Sequence, residues 1–227
     1  MKGKIVVITG TDGSGKETQT KLLLSYLEKL KQNVKMQSFP NYESLSSGPV
    51  KQYLGGELSD TANGVNAYQA SVLYAVDRFC TMKKYEDFLN NSNAILLLDR
   101  YMESSLIHQT TKFESASEKQ DFTAWLENFE YGLMEIPVPN YIIFLDMPPE
   151  KSIDLAHARQ SLKSGEKKDI HERDNQHLIS AYANGKAVAL KKNWKIISCV
   201  EKNGKIKTRE QIQAEIQEYI LPLLLKN

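Results

Sequence analysis

Gly10-Thr11-Asp12-Gly13-Ser14-Gly15-Lys16-Glu17-Thr18 holds the strongest chemistry in this sequence. Glycines at that spacing let the backbone curl so that the N–H groups of Thr11, Gly13, Ser14 and Gly15 converge on a β-phosphate, while Lys16 reaches the β- and γ-phosphates. A hydroxyl that ligates Mg²⁺ is expected directly after the lysine; Glu17 stands there, and the hydroxyl comes one residue later as Thr18. The Glu17 carboxylate either coordinates the metal or turns away and leaves it to water and other acids. A second signal is Leu96-Leu97-Leu98-Asp99-Arg100-Tyr101, an apolar run ending in an acid and an arginine. There Asp99 can hold Mg²⁺ or its water, and Arg100 can fork onto phosphoryl oxygens.

These residues need elements that bring them to one edge. Five apolar runs recur: Ile5 to Ile8, Val34 to Phe39, Ala94 to Leu98, Tyr141 to Leu145, and Ile196 to Val200. They do not alternate polar with apolar, which predicts strands of a parallel sheet covered on both faces. Between them lie helical stripes: Leu22, Leu23, Tyr26, Leu27 and Leu30; Tyr68, Val72, Ala75, Val76 and Phe79; Phe122, Trp125, Leu126 and Phe129; Ile212, Ile216 and Ile220. Alternation of strand and helix gives an α/β layered fold. Thr208-Arg209-Glu210-Gln211 predicts a capping box opening the last helix, after a turn at Asn203-Gly204. In a parallel sheet the phosphate loop and the Asp99-Arg100 pair leave the same carboxyl edge and face one crevice.

Composition narrows the function further. The 227 residues carry 29 Lys and Arg against 28 Asp and Glu, a net charge of +1, which argues against nucleic acid or an anionic membrane as partner. A chain of this length can bury about 72% of its unfolded surface, enough for one well-cored domain spanning 1–227. Cys80 and Cys199 lack the spacing of a zinc site, a redox motif or a disulfide framework. No signal peptide and no run of membrane-spanning length is present, so a cytoplasmic location is expected. The mixed charges from Lys163 through Lys167, Lys168, Asp169, Glu172, Arg173 and Asp174 read either as a solvated loop or as a cover over a phosphate site. No Asn-Lys-x-Asp string is present to read guanine.

Dispersed motifs give the chain a resemblance to thymidylate kinases of the bacterial kind over nearly its full length. The family's phosphate loop with an acid before the second glycine resembles Asp12-Gly13-Ser14-Gly15-Lys16, and its Phe-Pro after the second strand resembles Phe39-Pro40. Its Leu-Phe-x-x-x-Arg helix resembles Leu73-Tyr74-Ala75-Val76-Asp77-Arg78. Asp99-Arg100-Tyr101 continues through Ser104-Ser105 and His108-Gln109, and Leu145-Asp146-Met147-Pro148-Pro149-Glu150 resembles the family's Leu-Asp-x-Pro-Pro-Glu stretch.

The resemblance implies a three-layer α/β/α P-loop NTPase fold with a mostly five-stranded parallel sheet and a small lid segment at approximately 159–174. It implies transfer of the γ-phosphoryl group of ATP to dTMP with Mg²⁺, by a homodimer acting on small-molecule nucleotides. Catalysis would fall to Lys16, Arg100 and Asp12. By the same analogy Tyr74 stacks on the pyrimidine, Arg78 hydrogen-bonds its exocyclic oxygen, and Asp12 meets the sugar 3′-hydroxyl; the residues alone read equally as Tyr74 in the helix core with Val72 and Ala75, and Arg78 paired with Asp77 or Glu86. Phe39, Pro40, Tyr42, Ser104, Ser105, His108 and Gln109 complete the acceptor site. Arg159, Lys163, Lys167, Lys168 and Arg173 are lid candidates for the donor phosphates. The chain departs from the family in three places. Asn41-Tyr42 stands where an arginine often grips the acceptor phosphate, leaving Arg100 or Lys51 to supply that charge. His108 replaces a usual aromatic residue, and Glu17 fills a variable slot. A kinase for another deoxynucleotide or deoxynucleoside, and a non-catalytic ATP-binding regulator, are the alternatives.

Overall fold

In the computed structural model, five parallel strands stand in the order β2-β3-β1-β4-β5. They are β1 (Lys4–Thr9), β2 (Asn33–Ser38), β3 (Ala94–Asp99), β4 (Tyr141–Asp146) and β5 (Lys195–Ser198). The structure describes residues 2–59, 61, 64–160 and 175–225, without the side chains of 156–160 and 175. All five apolar runs are strands, and β1 and β3 are apolar from Ile5 to Ile8 and from Ala94 to Leu98 because each is covered on both faces. Val6 and Ile8 of β1 join Leu97 of β3, Ile143 and Leu145 of β4, and Ile197 of β5 in one core layer. Ile5 and Val7 join Leu96 and Leu98 in the opposite layer. The alternation of side chains along a strand makes two cores out of one apolar run.

The first layer is closed by α1 (Lys16–Lys29) and α9 (Arg209–Leu224), through Leu23 and Leu27 from one and Ile212, Ile216 and Ile220 from the other. The second is closed by α3 (Ala67–Lys83), α5 (Met102–Gln109) and α6 (Ala116–Glu127), with Met82, Leu106, Phe122 and Leu126 among the contacts. Shorter helices α2 (Gly48–Gly55) and α4 (Glu86–Leu89) flank α3, while α7 (Pro149–Gln160) and α8 (Asn175–Lys191) follow β4. The capping box at Thr208 forms: its backbone N–H donates to Gln211 Oε1 at 2.7 Å, and the Gln211 N–H donates to Thr208 Oγ1 at 3.2 Å. Of Asn203 and Gly204 only the glycine takes a positive φ, at 81°. The outer stripe of α3 splits. Ala75 is buried, Tyr68 leans edge-on against Phe113, Phe122 and Trp125, and Val72 and Val76 are exposed.

Three strand ends are pinned together at the carboxyl edge. Ile8 of β1 pairs with Asp99 of β3, and Ser38 of β2 pairs with the same Asp99. Beyond the last rungs, the Arg100 N–H donates to the Ile8 carbonyl at 3.1 Å and the Phe39 N–H to the Asp99 carbonyl at 2.9 Å. The loops leaving β1, β2 and β3 therefore start within one hydrogen bond of one another.

Candidate active site

The loop after β1 closes on itself before α1 begins. The Ser14 N–H donates to the Thr11 carbonyl at 3.2 Å, and Gly10, Gly13 and Gly15 take φ values of 149°, 78° and 90°. Two of these glycines are also sterically required. A Cβ on Gly13 would stand 2.6 Å from the Ser152 carbonyl of α7, and one on Gly10 would stand 2.9 Å from the Leu145 carbonyl. Lys16, at the first position of α1, is buried and donates from Nζ to the Thr11 carbonyl at 2.6 Å, with Asp12 Oδ1 at 3.9 Å. Thr11 Oγ1 and Ser14 Oγ are buried with no protein partner among the described residues. Polar atoms left in that state are rare in folded proteins unless a ligand or water serves them.

A cavity of about 380 Å³ opens beside this loop and collects the candidate acceptor residues. Asp12, Phe39, Pro40, Tyr42, Tyr74, Arg78, Arg100, Ser104, Ser105, His108 and Gln109 all line it, together with Glu17 and Asp99. Asp77 and Tyr101, which lie inside two of the matched motifs, line it as well, as do Ser38 and Leu54, which carry no signal of their own in the sequence. Size and mixed lining suit a nucleotide-sized ligand. Asp99 Oδ1, Ser104 Oγ and Gln109 Oε1 are buried polar atoms without a protein partner among the described residues, and all three residues line the cavity.

Arg100 holds a left-handed backbone, φ 64°, at the first residue past β3. A non-glycine residue there costs about 1–2 kcal/mol, and such strain gathers at functional sites. Its Nη2 donates to Asp12 Oδ1. Burial favours the neutral Asp12, but Arg100 and Lys16 outweigh it and hold the carboxyl well below the usual carboxylate range. Burial likewise opposes the charge of Arg100, and Asp12 with Asp99 reverses that, raising its pKa.

The base-recognition candidates lie deeper. Tyr74 meets Tyr53 edge-on, ring centroids 6.2 Å apart, and the Arg78 guanidinium lies 5.9 Å from the Tyr74 ring centroid. Neither neighbour in sequence nor Glu86 pairs with Arg78: its partner is Glu130, with Nε to Oε2 at 2.6 Å and Nη2 to Oε1 at 2.5 Å. Nη2 also donates to Ser105 Oγ at 3.1 Å. His108 stacks on His177 of α8, with Nδ1 and Nε2 3.3 Å apart.

The departure at Asn41 has a structural counterpart. The Asp77 carboxylate accepts from the Asn41 N–H at 2.7 Å and from Ser46 Oγ at 2.8 Å, tying the loop after Phe39-Pro40 to α3. Lys51 donates to the Tyr42 carbonyl at 2.6 Å and does not line the cavity, so of the two proposed sources of positive charge Arg100 is the one that faces it. Glu17 pairs with Lys21 at 2.5 Å on the exposed side of α1, and Thr18 is half-buried outside the lining. The lid candidates Arg159, Lys163, Lys167, Lys168 and Arg173 lie outside the described residues and side chains.

Comparison with known proteins agrees with this geometry. The thymidylate kinase of Mycobacterium tuberculosis is 25% identical over 207 residues, which covers 89% of this chain and 94% of that protein. A probable thymidylate kinase of Methanococcus aeolicus is 27% identical over 179 residues, 78% of each. The solved structure of thymidylate kinase from Candida albicans matches with a TM-score of 0.71 at 19% identity, covering 98% of this chain and 92% of that one, and so supports the fold. A family model described as thymidylate kinase matches residues 8–216, a span that takes in the phosphate loop and every residue lining the cavity. The chain thus belongs to the thymidylate kinase family of nucleoside monophosphate kinases.

Proposed function

We propose that this protein phosphorylates dTMP to dTDP with ATP, holding the donor phosphates in the loop of residues 10–18 and dTMP in the adjoining cavity. The observation that carries the reading is the bond from Arg100 to Asp12, which ties the wall of the acceptor cavity to the donor loop. The bond that breaks joins the γ-phosphorus to the oxygen bridging it to the β-phosphate; the bond that forms runs from a 5′-phosphate oxygen of dTMP to that phosphorus. The attacking oxygen is already anionic near neutral pH, so the chain needs no nucleophile and no general base. Lys16 and Arg100 supply fixed positive charge to the transferring group, and the burial of Lys16 strengthens that attraction.

Mg²⁺ fits the residues present: Asp99 offers a buried carboxylate oxygen without a protein partner among those described, and hard oxygen donors suit this ion. When bound, it would neutralise charge on the phosphate oxygens. Asp12, Asp77 and Asp99 outnumber Arg78 and Arg100 in the cavity lining, so nucleotide phosphates need cationic help there. We read Tyr74 as the stacking partner of the base, Arg78 as donor to its exocyclic oxygen, and Ser104, Ser105, His108 and Gln109 as the facing wall. Residues 1–227 are read as one kinase domain, with Arg159 and the segment around it supplying the lid. No helix among the described residues is long and apolar enough to cross a membrane. A homodimer in the cytoplasm is our reading from the family.

A coupled ADP-release assay with ATP and Mg²⁺ tests this across nucleoside monophosphates and nucleosides, with a no-acceptor control. Turnover with dTMP well above the control supports the proposal. Turnover confined to another acceptor moves the substrate, and ATP binding without turnover favours a regulator.

A further inference from the structure

We propose that Glu130 is the positioning residue that sets acceptor-base selectivity, by fixing the plane of the Arg78 guanidinium. The inference rests on the acceptor site described above and goes beyond it, because Glu130 does not line the cavity.

The argument starts from the donors of Arg78. A guanidinium has five N–H groups in a rigid fork. Nε and one Nη2 hydrogen go to the two oxygens of Glu130, the other Nη2 hydrogen goes to Ser105, and one Nη1 hydrogen goes to the Tyr101 carbonyl at 3.4 Å. The fifth N–H, on Nη1, is left for a ligand in the cavity that Arg78 lines. A bidentate carboxylate defines the plane and tilt of the fork, so the Glu130 contact decides where that last donor aims.

Stability alone does not account for the pair. Arg78 and Glu130 are both buried, and such a pair is commonly no more stabilising than apolar side chains of similar volume. Its location beneath a binding cavity gives it a use that packing would not. The backbone around Glu130 is unusual in the same way. Residues Asn128–Leu133 widen into a π-helical turn after α6, closed by the Met134 N–H donating to the Phe129 carbonyl, and such turns are frequent at functional sites. A second buried acid, Glu103, lies near Arg78 but accepts none of its hydrogen bonds. Tyr131 of the same turn donates from Oη to Glu103 Oε1 at 3.1 Å, while the guanidinium pairs with Glu130.

A thymine presents a carbonyl oxygen where cytosine presents an amino group, so a fixed donor discriminates between them and a tilted one does not. The test compares kcat/KM for dTMP and dCMP in the wild type, Glu130→Gln and Glu130→Asp, with KM for ATP and Tm alongside. Glutamine keeps the shape but turns an N–H donor toward the fork; aspartate keeps the charge, protecting the fold, and draws the carboxylate back by one methylene. We expect the dTMP preference to fall by about tenfold or more in both, through KM for dTMP, with KM for ATP within about twofold. A folded variant of either kind that keeps the wild-type ratio within about twofold overturns the inference alone. A proportional loss on both acceptors also overturns it, because that reports a structural role. A wild type without turnover on dTMP overturns the functional reading, and this inference with it.

Discussion

Arg100 and Asp12 are bonded to each other across two parallel strand ends, 88 residues apart in the chain, and each holds the other charged. The register of the sheet makes this possible: the Arg100 N–H is anchored to Ile8, and Asp12 lies in the loop that Ile8 and Thr9 lead into. The loop of residues 10–18 and the cavity beside it thus share an ion pair at their border.

Replacing Arg100 by lysine keeps a positive charge but loses the fork that can hold Asp12 and a phosphoryl oxygen together. Removal of one well-aimed donor from a phosphoryl-transfer site commonly costs about 10²–10³ in kcat, and Arg100→Lys is expected to fall in that range with its Tm near wild type. Steady-state kinetics with dTMP and ATP check it, and turnover within threefold of wild type would remove Arg100 from the transfer step.

The backbone of Arg100 makes a separate prediction about stability. With φ at 64°, a Cβ is disfavoured and glycine is not. Arg100→Ala and Arg100→Gly both lose the Asp12 contact, so their difference isolates the backbone, and glycine is expected to be more stable by about 1 kcal/mol. Urea unfolding of the two variants measures this. Equal midpoints would mean that the left-handed conformation relaxes once the side chain is gone.

The parts of this site that follow from local chemistry were legible in the sequence, and the parts set by tertiary contact were not. The phosphate loop is read from a strand, three glycines and a helix start, all within a few residues, and its φ values agree. Asp99 and Arg100 become readable once a parallel sheet is inferred, because both leave its carboxyl edge. Glu130 could not be found that way. It is 52 residues from Arg78, on a π-helical turn that no apolar period announces. The sequence offered Asp77 as a partner for Arg78, whereas Asp77 is engaged by Asn41 and Ser46. A buried carboxylate chooses among nearby donors by tertiary geometry, and adjacency in sequence says little about that.

Glu17 stands where a hydroxyl metal ligand is expected, and its carboxylate faces Lys21 on the solvent side of α1. Asp99 instead ends a buried strand and keeps one oxygen without a protein partner among the described residues. Glu17→Gln is therefore expected to leave kcat and the Mg²⁺ requirement within about threefold of wild type, and Asp99→Asn to lower kcat by about 10² or more. A Mg²⁺ titration of turnover distinguishes them. A tenfold rise in the Mg²⁺ requirement of Glu17→Gln would reassign the ligand to α1.

Glu103 lies in the first turn of α5 and is buried, with Oε2 unserved by any described residue. Burial pushes its carboxyl from 4.5 up to about 7, against hydrogen bonds from its own backbone and from Tyr131 that favour the ionised form. The native state therefore keeps a proton that the unfolded chain releases, so this group lowers stability as pH rises from 4.5 through about 7. The full effect of that rise, reached near pH 8, is about 3 kcal/mol. Glu103→Gln cannot ionise, and its amide oxygen still accepts from Tyr131. The variant is expected to gain about 1–3 kcal/mol over wild type at pH 8 and little at pH 5, read from denaturant midpoints at the two values. A difference between variant and wild type that does not change with pH would mean that Glu103 titrates as an ordinary carboxylate and that its burial is relieved in solution.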